Sequence, residues 1–108
     1  MAKTKIRRTR PKTLQAFQRQ FPDVFRHYQA LRDACDRRGP LDAKTRELIK
    51  IGLEVAKRRH GGLIAHIDRA VAAGATRDEI THAILLAVPL IGLPDVLDAF
   101  VVAQKRLS

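Results

Sequence analysis

Ala73-Gly74-Ala75-Thr76-Arg77-Asp78-Glu79-Ile80 closes one helix and opens the next. Gly74 stands where a helix C-terminus turns into the left-handed region that glycine enters without a steric cost. Thr76 and Glu79 have the spacing of a capping box, in which hydroxyl and carboxylate satisfy the first orphan amides of a new helix. Upstream, Leu63, Ile64, Ile67, Ala70 and Val71 recur every three or four residues; downstream, Ile80 to about Ile91 is apolar on nearly every side from Ala83 onward. Two helices joined by a tight corner are therefore expected. A segment so apolar needs more cover than one small chain supplies, which predicts self-association.

The same signals extend in both directions. Asp42 is a natural cap for a helix with Leu48, Ile51, Gly52, Val55 and Ala56 on one side, and Gly61-Gly62 marks its boundary with the helix that follows. Gly39-Pro40 ends an earlier helix, capped by Asp23 and carrying Val24, Phe25, Tyr28, Leu31 and Ala34 on one face. Thr13 is the expected cap of a stretch reaching Gln20. Gly92-Leu93-Pro94 breaks the chain again, and Asp95 is expected to cap a last helix with Val96, Leu97, Phe100 and Val101 inward and Gln104, Lys105 and Arg106 outward. No strand alternation and no internal repeat stand out. The fold class is all-α, a small domain of five to six helices.

At 108 residues, with 45% hydrophobic and 30% charged side chains, the chain has the length and balance of one globular domain. Aromatics are only 5%, so its core must be aliphatic. Of the formal +10, six charges (Lys3, Lys5, Arg7, Arg8, Arg10 and Lys12) fall in residues 1–12, which contain no acid. That segment reads as a disordered basic arm, and residues 13–108 as the helical domain. The basic start is not followed by the apolar stretch of an export signal. The longest apolar run, Ala83 to Leu93, is interrupted by Pro89 and Gly92 and falls short of the ~18 residues of a membrane span. The lone Cys35 rules out an internal disulfide. A cytoplasmic protein without membrane contact is the expectation.

The segments L-D-A-K-T-R-E-L-I-K-I-G from Leu41, H-x5-H-I-D-R-A-V-A-A-G-A-T-R-D-E-I from His60, and G-L-P-D-V-L-D-A-F from Gly92 together resemble the carboxymuconolactone decarboxylase family, which includes the alkylhydroperoxidase D proteins. The resemblance spans roughly the last two thirds of the chain. It implies a central helical hairpin and assembly into trimers or hexamers. The peroxidase branch carries a Glu, two cysteines and a His in the pattern E-x11-C-x2-C-x3-H. On this chain that pattern places Glu47 and His66 at the Glu and His, but Arg59 and Gly62 at the cysteines. Without thiolates nothing attacks a peroxide and no disulfide closes, and Cys35 lies outside the motif.

Decarboxylation asks for other groups: a cation to hold carboxylates and a proton donor to quench a carbanion. The candidates for catalysis are Glu47, Arg59 and His66, with Glu47 and His66 expected to be hydrogen-bonded. Arg58, His60 and His82 are candidates for substrate binding, and the amides at the start of the helix after Gly61 are a further carboxylate contact. Glu47, His66 and His82 come from three successive helices, but their spacing carries no metal signature, and neither metal nor cofactor is expected.

Three functions compete. The first is a non-thiol, lyase-like member of this family that binds or transforms a small carboxylate or lactone between helices. The second is a non-catalytic oligomer whose residues 3–12 make salt-sensitive contacts with nucleic acid or another polyanion. The third, a thiol peroxidase, is disfavoured by the missing cysteines.

Overall fold

The computed structural model describes residues 12–108, and every regular element among them is a helix. They are α1 (Lys12–Gln20), α2 (Pro22–Arg37), α3 (Ala43–Ala56), α4 (His60–Ala72), α5 (Arg77–Leu85), the single turn α6 (Val88–Ile91) and α7 (Leu93–Leu107). The basic arm lies outside the described residues except for Lys12, the first residue of α1. None of these helices is long and apolar enough to cross a membrane.

The chain divides into two compact units, one ending at Leu41 and the other running from Asp42 to Ser108. In the first, Thr13 falls inside α1 rather than capping it, and Asp23 lies in the first turn of α2. Phe21 is the N-cap there and Pro22 opens the helix. Proline fits that position because its missing N–H would have no intrahelical partner. The Phe17 and Phe21 rings meet at 5.2 Å across this junction.

The second unit is built on the hairpin of α3 and α4. Asp42 caps α3 by accepting from the Thr45 amide at 2.8 Å. Glu47 lies opposite His66 and Glu54 opposite Gly62, so the two helices run antiparallel. Ile51, Val55, Leu63 and Ile67 are buried between them and join Ile80 and Ile84 of α5 and Val96, Ala99, Ala103 and Leu107 of α7 in one aliphatic core. The α4–α5 corner has the expected chemistry. Gly74 adopts φ +97, the Ala75 amide bonds back to Ala70 at 2.9 Å, and the Thr76–Glu79 capping box is complete. Glu79 also accepts from Lys44 of α3 at 2.9 Å. Hydrogen bonds from the Thr76 backbone and from Lys44 hold its carboxyl below the usual range.

Several boundaries differ from the sequence reading. Gly61 and Gly62 sit inside the first turn of α4, which starts at His60. The apolar stretch from Ile80 is not one helix, because it breaks at Leu86-Ala87 and restarts as α6 with Pro89 in its first turn. Gly92, at φ 97 and ψ 153, is the N-cap of α7, and Asp95 lies in that helix's first turn. The inward face of α7 also turns. Val96 is buried as expected, but Leu97 and Val101 are about half exposed, while Ala99, Ala103 and Leu107 fill the core. Small alanines let α7 approach the hairpin closely. Arg106 points back instead of outward and grips the buried Asp68 of α4 through two bonds of 2.8 and 2.6 Å.

Removing one partner of the capping box should be visible in a melt. Thr76→Ala is expected to cost about 1 kcal/mol, which lowers the thermal midpoint by roughly 4–8 °C in a domain of this size. Circular dichroism on heating measures it.

Candidate functional site

Glu47 lies one turn into α3 and His66 in the middle of α4, and the packing of Ile51 against the α4 core brings them together. His66 Nδ1 and Glu47 Oε1 are 2.7 Å apart, with both side chains largely buried. Lys50, one turn further along α3, places its Nζ 3.7 Å from the other Glu47 oxygen. Burial alone would raise the Glu47 carboxyl. The hydrogen bond with His66, together with the positive charges of His66, Lys50 and Arg69, outweighs it and holds the carboxyl below its ordinary value. An ionised Glu47 accepts the proton on Nδ1 and thereby assigns Nε2 as the reactive nitrogen of the ring. Such a carboxylate-oriented imidazole can give or take a proton at a fixed position.

Towards the start of α4, Glu54 of α3 reaches over Gly62. A Cβ at position 62 would meet its Oε2 at 1.3 Å and its Cδ at 2.5 Å, so the side chain fills the space that glycine leaves open. Glu54 is half-buried, and its carboxylate has no hydrogen-bond or ion-pair partner among the described residues. Neither Lys50 nor Glu54 was among the sequence candidates. Their signal was present in the spacing, since Glu47, Lys50 and Glu54 are three and four residues apart on one helix face.

The other candidates lie apart from this pair. Arg59 is the N-cap of α4, and Arg59 and His60 are both exposed. Arg58 takes a left-handed backbone, φ 57, at the end of α3, and its guanidinium bonds Asp95 of α7 at 2.9 Å. His82 is exposed on α5 and lines a different feature, an apolar groove of about 540 Å³ bounded by Leu48, Ile49, Leu53, Leu86 and Leu90. That groove uses the face of α3 opposite Glu47, so Glu47, His66 and His82 do not converge. Among the described residues no group of three or more His, Cys, Asp or Glu is placed to hold a metal ion. Cys35 is exposed on α2.

The model of the family described as "Carboxymuconolactone decarboxylase family" matches residues 22–105. The chain belongs to the carboxymuconolactone decarboxylase family. A solved family member from Legionella pneumophila, crystallised in its apo form, superimposes with a TM-score of 0.75 at 32% identity, over 85% of this chain and 82% of the other. The nitrosuccinic acid decarboxylase of Metarhizium robertsii is 34% identical over 68 residues, 63% of this chain. The chain spans about half, 48%, of that curated relative's length. As a member of this family the chain keeps the Glu and His positions of the redox pattern in hydrogen-bond contact. It sets Arg59 at the exposed cap and the Glu54-covered Gly62 where the two cysteines of that pattern fall.

A carboxylate with a lowered pKa stabilises the fold above its unfolded-state value, and that contribution disappears as pH falls through the folded-state value. The stability advantage of the native protein over Glu47→Gln is therefore expected to be present at pH 7, at roughly 1.5–3 kcal/mol for a hydrogen bond to a charged group. It should shrink as the pH is taken below the ordinary value of 4.5. Urea unfolding at the two ends of this range measures it; an advantage that grows in acid contradicts the assignment.

Proposed function

We propose that this chain is a non-thiol lyase-type member of its family that decarboxylates a small carboxylate- or lactone-bearing compound at the Glu47–His66 pair. The observation that carries this reading is the 2.7 Å contact between Glu47 and His66 Nδ1 in a chain that lacks the paired cysteines. The name of the Metarhizium robertsii relative, a decarboxylase, agrees with it.

Decarboxylation breaks the bond between a carbon and its carboxylate. Carbon dioxide leaves, the bonding pair passes into the substrate's conjugated acceptor, and a proton then quenches the carbanion. His66, as imidazolium braced by Glu47, is suited to deliver that proton from Nε2 and to recover it from water. The ammonium of Lys50 adds positive charge at the same end, where the electron pair accumulates. Arg59, His60 and Arg58, exposed at the start of α4, are placed to attract an anion from solvent rather than to hold it in a closed pocket. No oxidant, reductant or thiol takes part.

Self-association belongs to this reading. Leu90 is 84% exposed and Leu86 60% exposed on the rim of the apolar groove. A continuous aliphatic patch of this kind is what a second copy of the chain would cover.

Two measurements test the proposal. His66→Ala should abolish release of carbon dioxide from 4-carboxymuconolactone or nitrosuccinate, by at least the ~100-fold that a positioned acid contributes, without changing the oligomeric state. Light scattering should find an assembly at micromolar concentration that Leu90→Lys dissociates. Full turnover by His66→Ala, or a monomeric native protein, contradicts the respective part.

A further inference from the structure

The hairpin edge that carries Glu47 and His66 is electrically lopsided. At one end, His66, Lys50 and Arg69 surround Glu47 and more than offset its charge. At the other, over Gly62, stands the carboxylate of Glu54, with no partner of opposite charge among the described residues. Gly62 and His66 are four residues apart on α4 and so share a face, about 6 Å apart along the axis. Helical side chains lean towards the N-terminus, which carries the imidazole in the direction of Gly62 and the Glu54 carboxylate above it. Glu54 reaches this place only because residue 62 has no side chain: any Cβ there would overlap its Oε2.

Resting on the decarboxylation reading above, we propose that Glu54 places a negative charge beside the carboxylate that is lost, so that its repulsion is relieved as carbon dioxide departs. Before the bond breaks, the substrate carries its charge on that carboxylate, next to Glu54. As the carbon–carbon bond breaks, the bonding pair moves away from Glu54 into the conjugated acceptor at the His66 and Lys50 end, and the departing carbon dioxide is neutral. The pair then takes the proton from His66 Nε2. Glu54 neither gives nor takes a proton or an electron. It lowers the barrier by opposing the ground state more than the transition state, while His66 and Lys50 favour the product side of the same displacement. The substrate class that fits is a small acid in which an electron-accepting carbonyl, lactone or nitro group is conjugated with the carbon that loses its carboxylate.

Glu54→Gln keeps the shape that packs over Gly62 and removes only the charge, so the fold is not at risk. Succinate is a dicarboxylate with no acceptor adjacent to either carboxyl, and it serves as an unreactive probe. Calorimetric titration should show Glu54→Gln binding succinate roughly tenfold more tightly than the native protein. With 4-carboxymuconolactone or nitrosuccinate, the same substitution should lower kcat and KM together, as expected when ground-state strain is removed. His66→Ala should weaken succinate in either background. Unchanged or weaker succinate binding in Glu54→Gln overturns the proposal, as does a raised KM with kcat unaltered, which marks a plain binding group. Binding by Glu54→Gln where the native protein binds none supports it, and binding by neither overturns it. Tighter binding in Glu54→Gln together with an unaffected His66→Ala upholds the charge at Glu54 and refutes the role given to His66.

Discussion

Antiparallel packing of α3 on α4 holds the rest of this molecule in place. Ile51 and Val55 on one helix and Leu63 and Ile67 on the other are buried in the hairpin, each contributing roughly 1.5–3 kcal/mol by its removal from water. Their interlocking fixes the register of the two helices. A slip of one turn would carry Glu47 about 5 Å from its imidazole and break the 2.7 Å contact between them. α5 and α7 close the core behind the hairpin, and Arg106 on Asp68 fastens α7 to the back of α4. Because Glu47 and His66 both sit on helices and not on loops, their geometry is as rigid as the core beneath them.

Much of this was legible in the chain alone. The capping box, Asp42 and Gly74 are local devices that act over three or four residues, and their chemistry does not depend on what packs nearby. Family likeness supplied the Glu47–His66 pairing across the hairpin. What escaped detection depends on partners distant in sequence. Arg106 reads as an outward cation until Asp68, 38 positions earlier, is known to lie beneath it. Leu97 and Val101 read as core until the alanines of α7 prove to be the surface that meets the hairpin. Glu54 drew no notice in the sequence, because only the fold shows that Gly62 on the facing helix leaves it room. Gly61-Gly62 reads as a boundary between helices, yet both glycines lie in the first turn of α4.

α3 serves two unlike environments at once. One side presents Glu47, Lys50 and Glu54, while the other presents Leu48, Ile49 and Leu53 to the apolar groove beside α5 and α6. Between them Ile51 and Val55 face the core. This division gathers the ionisable residues along one edge of the hairpin and leaves the aliphatic ones to line the groove. His82 of α5 lines that groove too, apart from Glu47 and His66.

The bend after α3 shows how finely this arrangement is balanced. Arg58 holds a left-handed backbone that costs an ordinary side chain ~1 kcal/mol, and glycine would be more comfortable there. Its guanidinium, however, is the tie to Asp95 at the root of the last helix. Relaxing the corner and keeping that anchor are mutually exclusive, and the two energies are comparable in size. Replacement at this position would thus redistribute strain with little net loss of stability, and would register as a change in how firmly the C-terminal helix is seated, making the corner a natural adjusting point of the domain.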